Sequence, residues 1–232
     1  MVQVSNVPYV TLRIRFKKLG RLQYISHLDL VRTMSKILVR AKLPMWYTEG
    51  FNPKPKMVFA APLSIGAESV CEFMDVRLTK KLPPEEVMAV LNKNMTEEMQ
   101  VLEAYYPTEK FTELKWLKYT MKIKSEMDST ILAEKYNEIF AKSEIFVTKK
   151  TKSGEQSVDI KPLIHTALAT PEGELTVLKL TLSADQSKFL NPEYIADVLR
   201  DSLGILGEET LATEYYSIFR ESAHKDDMSE FR

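Results

Sequence analysis

Cysteine is almost missing from this chain: Cys71 is the only one in 232 residues. A single thiol excludes an internal disulfide and any metal or iron–sulfur site built from several thiolates, and it fits a reducing compartment. The three histidines, His27, His165 and His224, lie far apart without metal-ligand spacing. With seven glycines, the chain has no P-loop, no dinucleotide fingerprint and no nucleophile elbow. No apolar run approaches the roughly 20 residues that a bilayer-spanning helix needs. Met1 to Pro8 lacks the basic and apolar stretches of a signal peptide. These absences predict a soluble, cytoplasmic protein that holds no metal and no cofactor and does not associate with membranes.

The formal net charge is also zero, with 32 basic and 32 acidic residues, but the balance is uneven along the chain. Between Tyr9 and Lys56 stand eleven Lys and Arg against two acids, Asp29 and Glu49. The remainder carries 21 basic and 30 acidic residues. Solubility alone would intersperse the signs. A concentrated positive segment attracts phosphate, acidic protein or anionic lipid.

The order of predicted elements points to an α+β fold. Val10, Leu12, Ile14 and Phe16 alternate with Thr11, Arg13, Arg15 and Lys17, the period of a strand with one buried face. Ser26 and Asp29 form an acidic version of the capping box. The helix they open has Leu30, Val31, Met34, Ile37, Leu38 and Ala41 on one stripe and stops before Pro44. A Pro-rich stretch follows, with a short strand at Lys56 to Ala60, then a strand at Val70 to Leu78, a helix at Glu85 to Leu91 and a strand at Gln100 to Tyr105. This is the βαββαβ order of a ferredoxin-like unit.

A second such unit is predicted after Thr108 to Lys115. It starts with the strand bearing Leu117 to Lys124 and a helix from about Ser129 to Ala141. Strands follow at Ile145 to Lys150, Ser157 to Ile164 and Leu175 to Leu182, with turns at Ser153-Gly154 and Pro171-Glu172-Gly173. Asn191 caps a helix with Pro192 at its first position, Thr213 to Arg220 is the last strand, and Ser222 to Arg232 reads as frayed. The expectation is therefore two tandem ferredoxin-like (βαββαβ) units, residues 1–108 and 114–232.

In such a unit the helices cover one sheet face, so Arg13, Arg15 and Lys17 are expected on the open face. Arg32, Lys36 and Arg40, spaced four apart, align along one side of the first helix. Lys54 and Lys56 add two cations from the Pro-rich loop, and Tyr24, Trp46, Tyr47 and Phe51 are interleaved among them. Cations for phosphates and flat rings for bases suit single-stranded RNA, with Tyr47 and Phe51 as the expected stacking rings. Plainer readings stand beside this one. The helix stripe is also what a solvated face looks like, and Asp75 opposes Arg13 or Arg15 if it sits on the neighbouring strand. Trp46 and Phe51 also suit loop anchoring, and Cys71 mid-strand suits packing. His27, in the first helical turn, is the one candidate general base, for a ribose 2′-hydroxyl; closing the helix start by hydrogen bonding is its plainer role.

Two motifs, Tyr24-Ile25-Ser26-His27-Leu28-Asp29-Leu30 and Glu49-Gly50-Phe51-Asn52-Pro53-Lys54-Pro55-Lys56, carry a family resemblance. The chain resembles the bacterial radical SAM-linked protein family, a domain of unknown function, over most of Tyr9 to about Ser183. Ser26, His27, Asp29, Gly50, Phe51, Asn52, Pro53 and Pro55 are the motif positions that match. Lys54 stands where the family favours histidine, which weakens any role for it as metal ligand or proton carrier. The resemblance implies a partner, because in this family the domain occurs alone or fused behind a radical SAM protein with a cobalamin-binding-type region. Family genes tend to lie near a ribonuclease of the E/G type and ribosomal-protein genes. Without a three-cysteine cluster here, radical chemistry would belong to that partner. The expected function is a non-catalytic RNA-binding or substrate-presenting accessory protein, acting with a radical SAM enzyme on RNA or the translation apparatus. The alternatives are a metal-independent endoribonuclease using His27, and a protein-interaction module docking on the radical SAM partner.

Overall fold

The alternation at the start of the chain produces strand β1, Val10–Lys18, in which Leu12, Ile14 and Phe16 are completely buried. The computed structural model describes residues 8–151, 154–207, 210 and 212–232. Among them the protein is α+β, with four α-helices and antiparallel pairing between the strands within each of two compact units. One unit runs to Phe111 and includes Arg232; the other spans Thr112–Phe231.

In the first unit β1 is followed by α1 (His27–Arg40), β2 (Met57–Phe59), β3 (Ala67–Leu78), α2 (Pro84–Asn92) and β4 (Val101–Tyr105). The strand order is β4-β1-β3, with β2 also paired to β3. Leu12, Ile14 and Phe16 pack with Leu30, Met34, Ile37 and Leu38 of α1 and with Val87 and Leu91 of α2. Full burial of such side chains contributes roughly 1.5–3 kcal/mol each. Where β1 ends, Gly20 has φ 58°, and a Cβ there would lie 2.4 Å from Glu98 Oε1. The left-handed backbone favours glycine there, and a side chain would also have to push the Glu98 side chain aside. After α1, Lys42 takes φ 53°, and Pro44 follows two residues later.

The second unit contains β5 (Trp116–Lys124), α3 (Ser129–Phe140), β6 (Phe146–Thr151), β7 (Gly154–Asp159), β8 (Ile164–Glu172), β9 (Leu175–Ser183), α4 (Glu193–Leu203) and β10 (Tyr215–His224). Its main sheet has the order β10-β5-β9-β8, while β6 and β7 pair only with each other. Asp128 caps α3, its Oδ1 accepting from the N–H groups of Thr130 and Ile131 at 2.9 and 3.2 Å.

Four expectations change here. The strand expected at Ser157 to Ile164 is broken, because Asp159 Oδ1 accepts from the N–H of Ile145 at 2.8 Å and of Lys161 at 3.0 Å. These bonds turn the chain through a short 3-10 turn at Lys161–Leu163, and β8 begins only at Ile164. Residues 165–172, read as turn and connection, are an edge strand; Pro171 near its end is tolerated because only one neighbour needs its donors. Pro192 is the cap residue of α4 and not its first turn, although Asn191 Oδ1 does accept from the Glu193 N–H at 3.1 Å. The C-terminal segment is held in place. Its first residues belong to β10, Phe231 is 1% exposed, and the Phe231 N–H donates to the Ala223 carbonyl at 2.9 Å. A single large apolar side chain anchors a segment whose composition is otherwise polar. Ser153 of the expected Ser153-Gly154 turn lies outside the described residues.

Candidate nucleic-acid interface

The first motif builds a helix start. Ser26 is extended, and its Oγ accepts from the Asp29 N–H at 3.1 Å and donates to Asp29 Oδ2 at 2.8 Å. Asp29 Oδ1 then accepts from Arg32 Nη1 at 3.1 Å. The Ser26 hydroxyl, followed by the Arg32 guanidinium, holds the Asp29 carboxyl below its ordinary pKa. The helix launched this way presents Leu28, Arg32 and Lys36 at four-residue steps beside Val31 and Ser35.

The second motif closes a turned loop. The Thr48 N–H donates to the Lys54 carbonyl at 2.9 Å, the Lys54 N–H to Thr48 Oγ1 at 3.1 Å, and the Lys56 N–H to the Trp46 carbonyl at 2.9 Å. The loop is docked on β3, since the Trp46 N–H donates to the Arg77 carbonyl and the Arg77 N–H to the Lys56 carbonyl, at 2.8 and 3.1 Å. The Arg77 guanidinium lies 4.0 Å from the Tyr9 ring centre and 5.5 Å from that of Trp46, which places Trp46 as an anchor of the loop. Gly50, with φ 115°, supplies a conformation that side chains resist. Next to it Phe51 is wholly exposed, and Tyr47 is 42% exposed.

Helix α1 and this loop enclose a groove of about 490 Å³. Four of the expected cations line it: Arg32, Lys36, Lys54 and Lys56. Leu28, Val31, Pro55 and Met57 give it an apolar floor, and no carboxylate is among its lining residues. Arg32 is tied to Asp29, whereas Lys36, Lys54 and Lys56 have no ion pair among the described residues. On the other flank of α1, Lys36 and Arg40 line a second cavity of about 220 Å³ with Leu22, Met95 and Met99. The floor residues were not foreseen as functional, although Leu28, Val31 and Ser35 share the spacing of Arg32 and Lys36.

The strand cations do not join this group. Arg13 is 1% exposed, and its Nε and Nη2 donate to the two carboxylate oxygens of Asp75 at 2.7 and 2.9 Å. Its remaining donors reach the carbonyls of Glu109 and Arg232, both at 3.0 Å, and its guanidinium lies 4.3 Å from the Phe111 ring centre. Arg15 pairs with Glu103 at 3.1 Å. The cause is register: Arg13 sits opposite Asp75 on β3, and Arg15 opposite Glu103 on β4. The expectation of an open face bearing Arg13 and Arg15 is corrected accordingly. Lys17 is half-buried, without an ion pair among the described residues.

His27 is exposed, with its ring edge-on to Phe59 at 5.3 Å and no side-chain hydrogen bond among the described residues. Its ring contacts Phe59, and no third group among the described residues orients it as a base. Cys71 is buried in β3. Among the described residues no three His, Cys, Asp or Glu are grouped to hold a metal ion, and no helix is long and apolar enough to cross a membrane.

These features define a class: an α+β protein that displays a cation-lined groove between a capped helix and a proline-rich loop. The chain belongs to a family described as uncharacterized protein conserved in bacteria (DUF2344), whose sequence profile matches residues 11–192. No functionally curated protein matches it. Among solved structures, a chain of a Cbf5–Nop10–Gar1 complex is similar at 11% identity and a TM-score of 0.49. That likeness covers 93% of this chain and 50% of that one, so this chain spans half its length. An unknown protein from Galdieria sulphuraria is similar at 10% identity and a TM-score of 0.26, over 92% of this chain and 99% of that one. Likeness at these levels does not bear on what this chain does.

Proposed function

We propose that this protein is a non-catalytic, RNA-binding accessory protein, built of two tandem ferredoxin-like units, that presents RNA to a radical SAM enzyme. One observation carries the RNA reading: four cations surround the apolar floor of the α1–loop groove, and among the described residues no carboxylate lines it. In this reading Arg32, Lys36, Lys54 and Lys56 take phosphates, the floor takes the face of a base, and Phe51 and Tyr47 extend the stacking surface beyond the groove. The strand orders β4-β1-β3, with β2 outside β3, and β10-β5-β9-β8 support the ferredoxin-like assignment, the second unit having the β6–β7 hairpin inserted after its first helix. The radical SAM partner rests on the resemblance of the two motifs, and the lone Cys71 assigns any cluster chemistry to that partner.

Salt dependence of RNA binding is the test. Four phosphate contacts to a single strand predict a log–log slope of about −2.8, or roughly a fiftyfold loss of affinity between about 50 and 200 mM salt. Reversing two of the four charges, in Lys36→Glu/Lys54→Glu, is expected to weaken binding and to halve the slope. A salt-independent interaction, or a double variant that binds like the wild type, removes the groove from the function. Association with the radical SAM protein that survives nuclease treatment and is lost in the same double variant would convert the groove into a protein-docking surface.

A further inference from the structure

The second unit has a sheet face that its helices do not cover. Helices α3 and α4 cover one side of its main sheet: Thr176 Oγ1 donates to the Ser129 carbonyl at 3.1 Å, and the Tyr216 hydroxyl donates to Glu193 Oε2 at 2.5 Å. The opposite side is reached by the alternate residues. Register places Phe219, Thr120, Lys179 and Leu168 in one row across β10, β5, β9 and β8, and Ser217, Lys122, Val177 and Thr170 in the next. Tyr215, Phe219 and four lysines mark this side. Tyr215 is 61% exposed and lies four residues from Phe219 along β10, roughly 13 Å away on the same face. Leu168, 57% exposed, adds apolar surface on the far strand.

The charges decide what such a face is suited to hold. Lys179 is neutralised by Glu221 at 2.8 Å, and Lys124 is paired with Glu174 at the rim. Lys118 and Lys122, on the central strand, have no salt bridge among the described residues, although Lys118 shares the field of Glu221 with Lys179 at longer range. An apolar protein partner would have to desolvate both ammonium groups without compensation. Single-stranded nucleic acid needs what is present: flat rings for bases and, beside them, cations without a salt bridge for phosphates. We infer that this sheet face, through Tyr215, Phe219, Lys118 and Lys122, is a second site for single-stranded nucleic acid, independent of the groove on the first unit.

The test uses the full chain and a 4-thiouridine-containing oligouridine. Irradiation is expected to crosslink the oligonucleotide to peptides containing Tyr215 or Phe219. Tyr215→Ala, which alters an exposed side chain and should leave the melting temperature unchanged, is expected to weaken binding at least about fivefold. Lys118→Glu/Lys122→Glu is expected to do the same and to flatten the salt dependence. Crosslinks confined to residues 24–57, with both variants binding like the wild type, overturn this inference and leave the groove intact. Loss of binding in these variants but not in Lys36→Glu/Lys54→Glu supports the sheet face and removes the groove. Absence of any oligonucleotide binding, or crosslinking of this face only to protein, overturns it outright.

Discussion

Strand β1 and helix α1 draw on the same basic segment, yet their cations meet opposite fates. On β1 each arginine is set by strand register against a neighbour, and the neighbours supply Asp75 and Glu103. On α1 the cations project from the side away from the core, and among the described residues their one ion pair is that of Arg32 with Asp29, three residues away. A positive stretch of sequence therefore divides into a structural part and an available part. Strands enforce pairing with residues distant in sequence, while a helix surface sees mainly its own turns. Counting charge along a chain detects a partner only where the charge sits on elements that do not bring their own counter-ions.

The largest expected effect separates the two parts directly. Arg13→Met strands Asp75 and leaves the carbonyls of Glu109 and Arg232 without their donor. Removing one member of a buried pair costs about 3–5 kcal/mol, so urea denaturation should show a loss of that size. Lys36→Ala and Lys54→Ala should stay within about 0.5 kcal/mol of the wild type in the same experiment, while weakening RNA. Equal stability losses at Arg13 and Lys36, or an RNA defect in a folded Arg13→Met protein as large as that of Lys36→Ala, would erase the distinction.

Two smaller substitutions sharpen it. Phe51→Ala removes a ring with no burial to lose, so stability should not change, and RNA affinity should fall by the stacking contribution of one base, about 1–3 kcal/mol. Anisotropy titration and thermal melting together check this; a lowered melting temperature would mean that the ring packs in solution. Arg15→Ala breaks a half-exposed pair with Glu103, worth about 0.2–1 kcal/mol, and should leave RNA binding unaffected.

What could be read in the sequence follows the same division. Local signals were legible: the alternation of β1, the Ser26 cap, the α1 stripe and the Pro-rich loop all correspond to described elements. The groove cations were legible as residues, because their spacing on α1 is a property of the helix alone. What sequence could not supply was partnership across distance. Nothing near Arg13 singles it out over Arg15 as the partner of Asp75. Strand β8 was missed because an edge strand with one exposed face tolerates Thr166, Thr170 and Pro171 and so loses the apolar signature. The C-terminal anchor was missed because its one large buried apolar residue, Phe231, stands within a mostly polar run, and its other ties are hydrogen bonds that composition does not reveal.

An effect whose size changes with pH is expected at the helix start that carries the groove. The Asp29 carboxyl is lowered below its ordinary 3.8, chiefly by the Ser26 hydroxyl and then by Arg32. A depressed folded value means that the unfolded chain binds more protons in that range, so this contribution is present above pH 3.8 and is lost as pH falls through the folded value. Ser26→Ala removes the cap, at a cost of about 1 kcal/mol, and with it the first cause of the depression. The stability gap between wild type and Ser26→Ala should therefore be widest at neutral pH and narrow under acid, when the carboxylate of the wild type is protonated. Urea midpoints measured from neutral pH down to about pH 3 would show this. A gap that keeps its size throughout would mean that Ser26 acts through its backbone bond alone, and that Asp29 serves Arg32, and so the groove, without help from the cap.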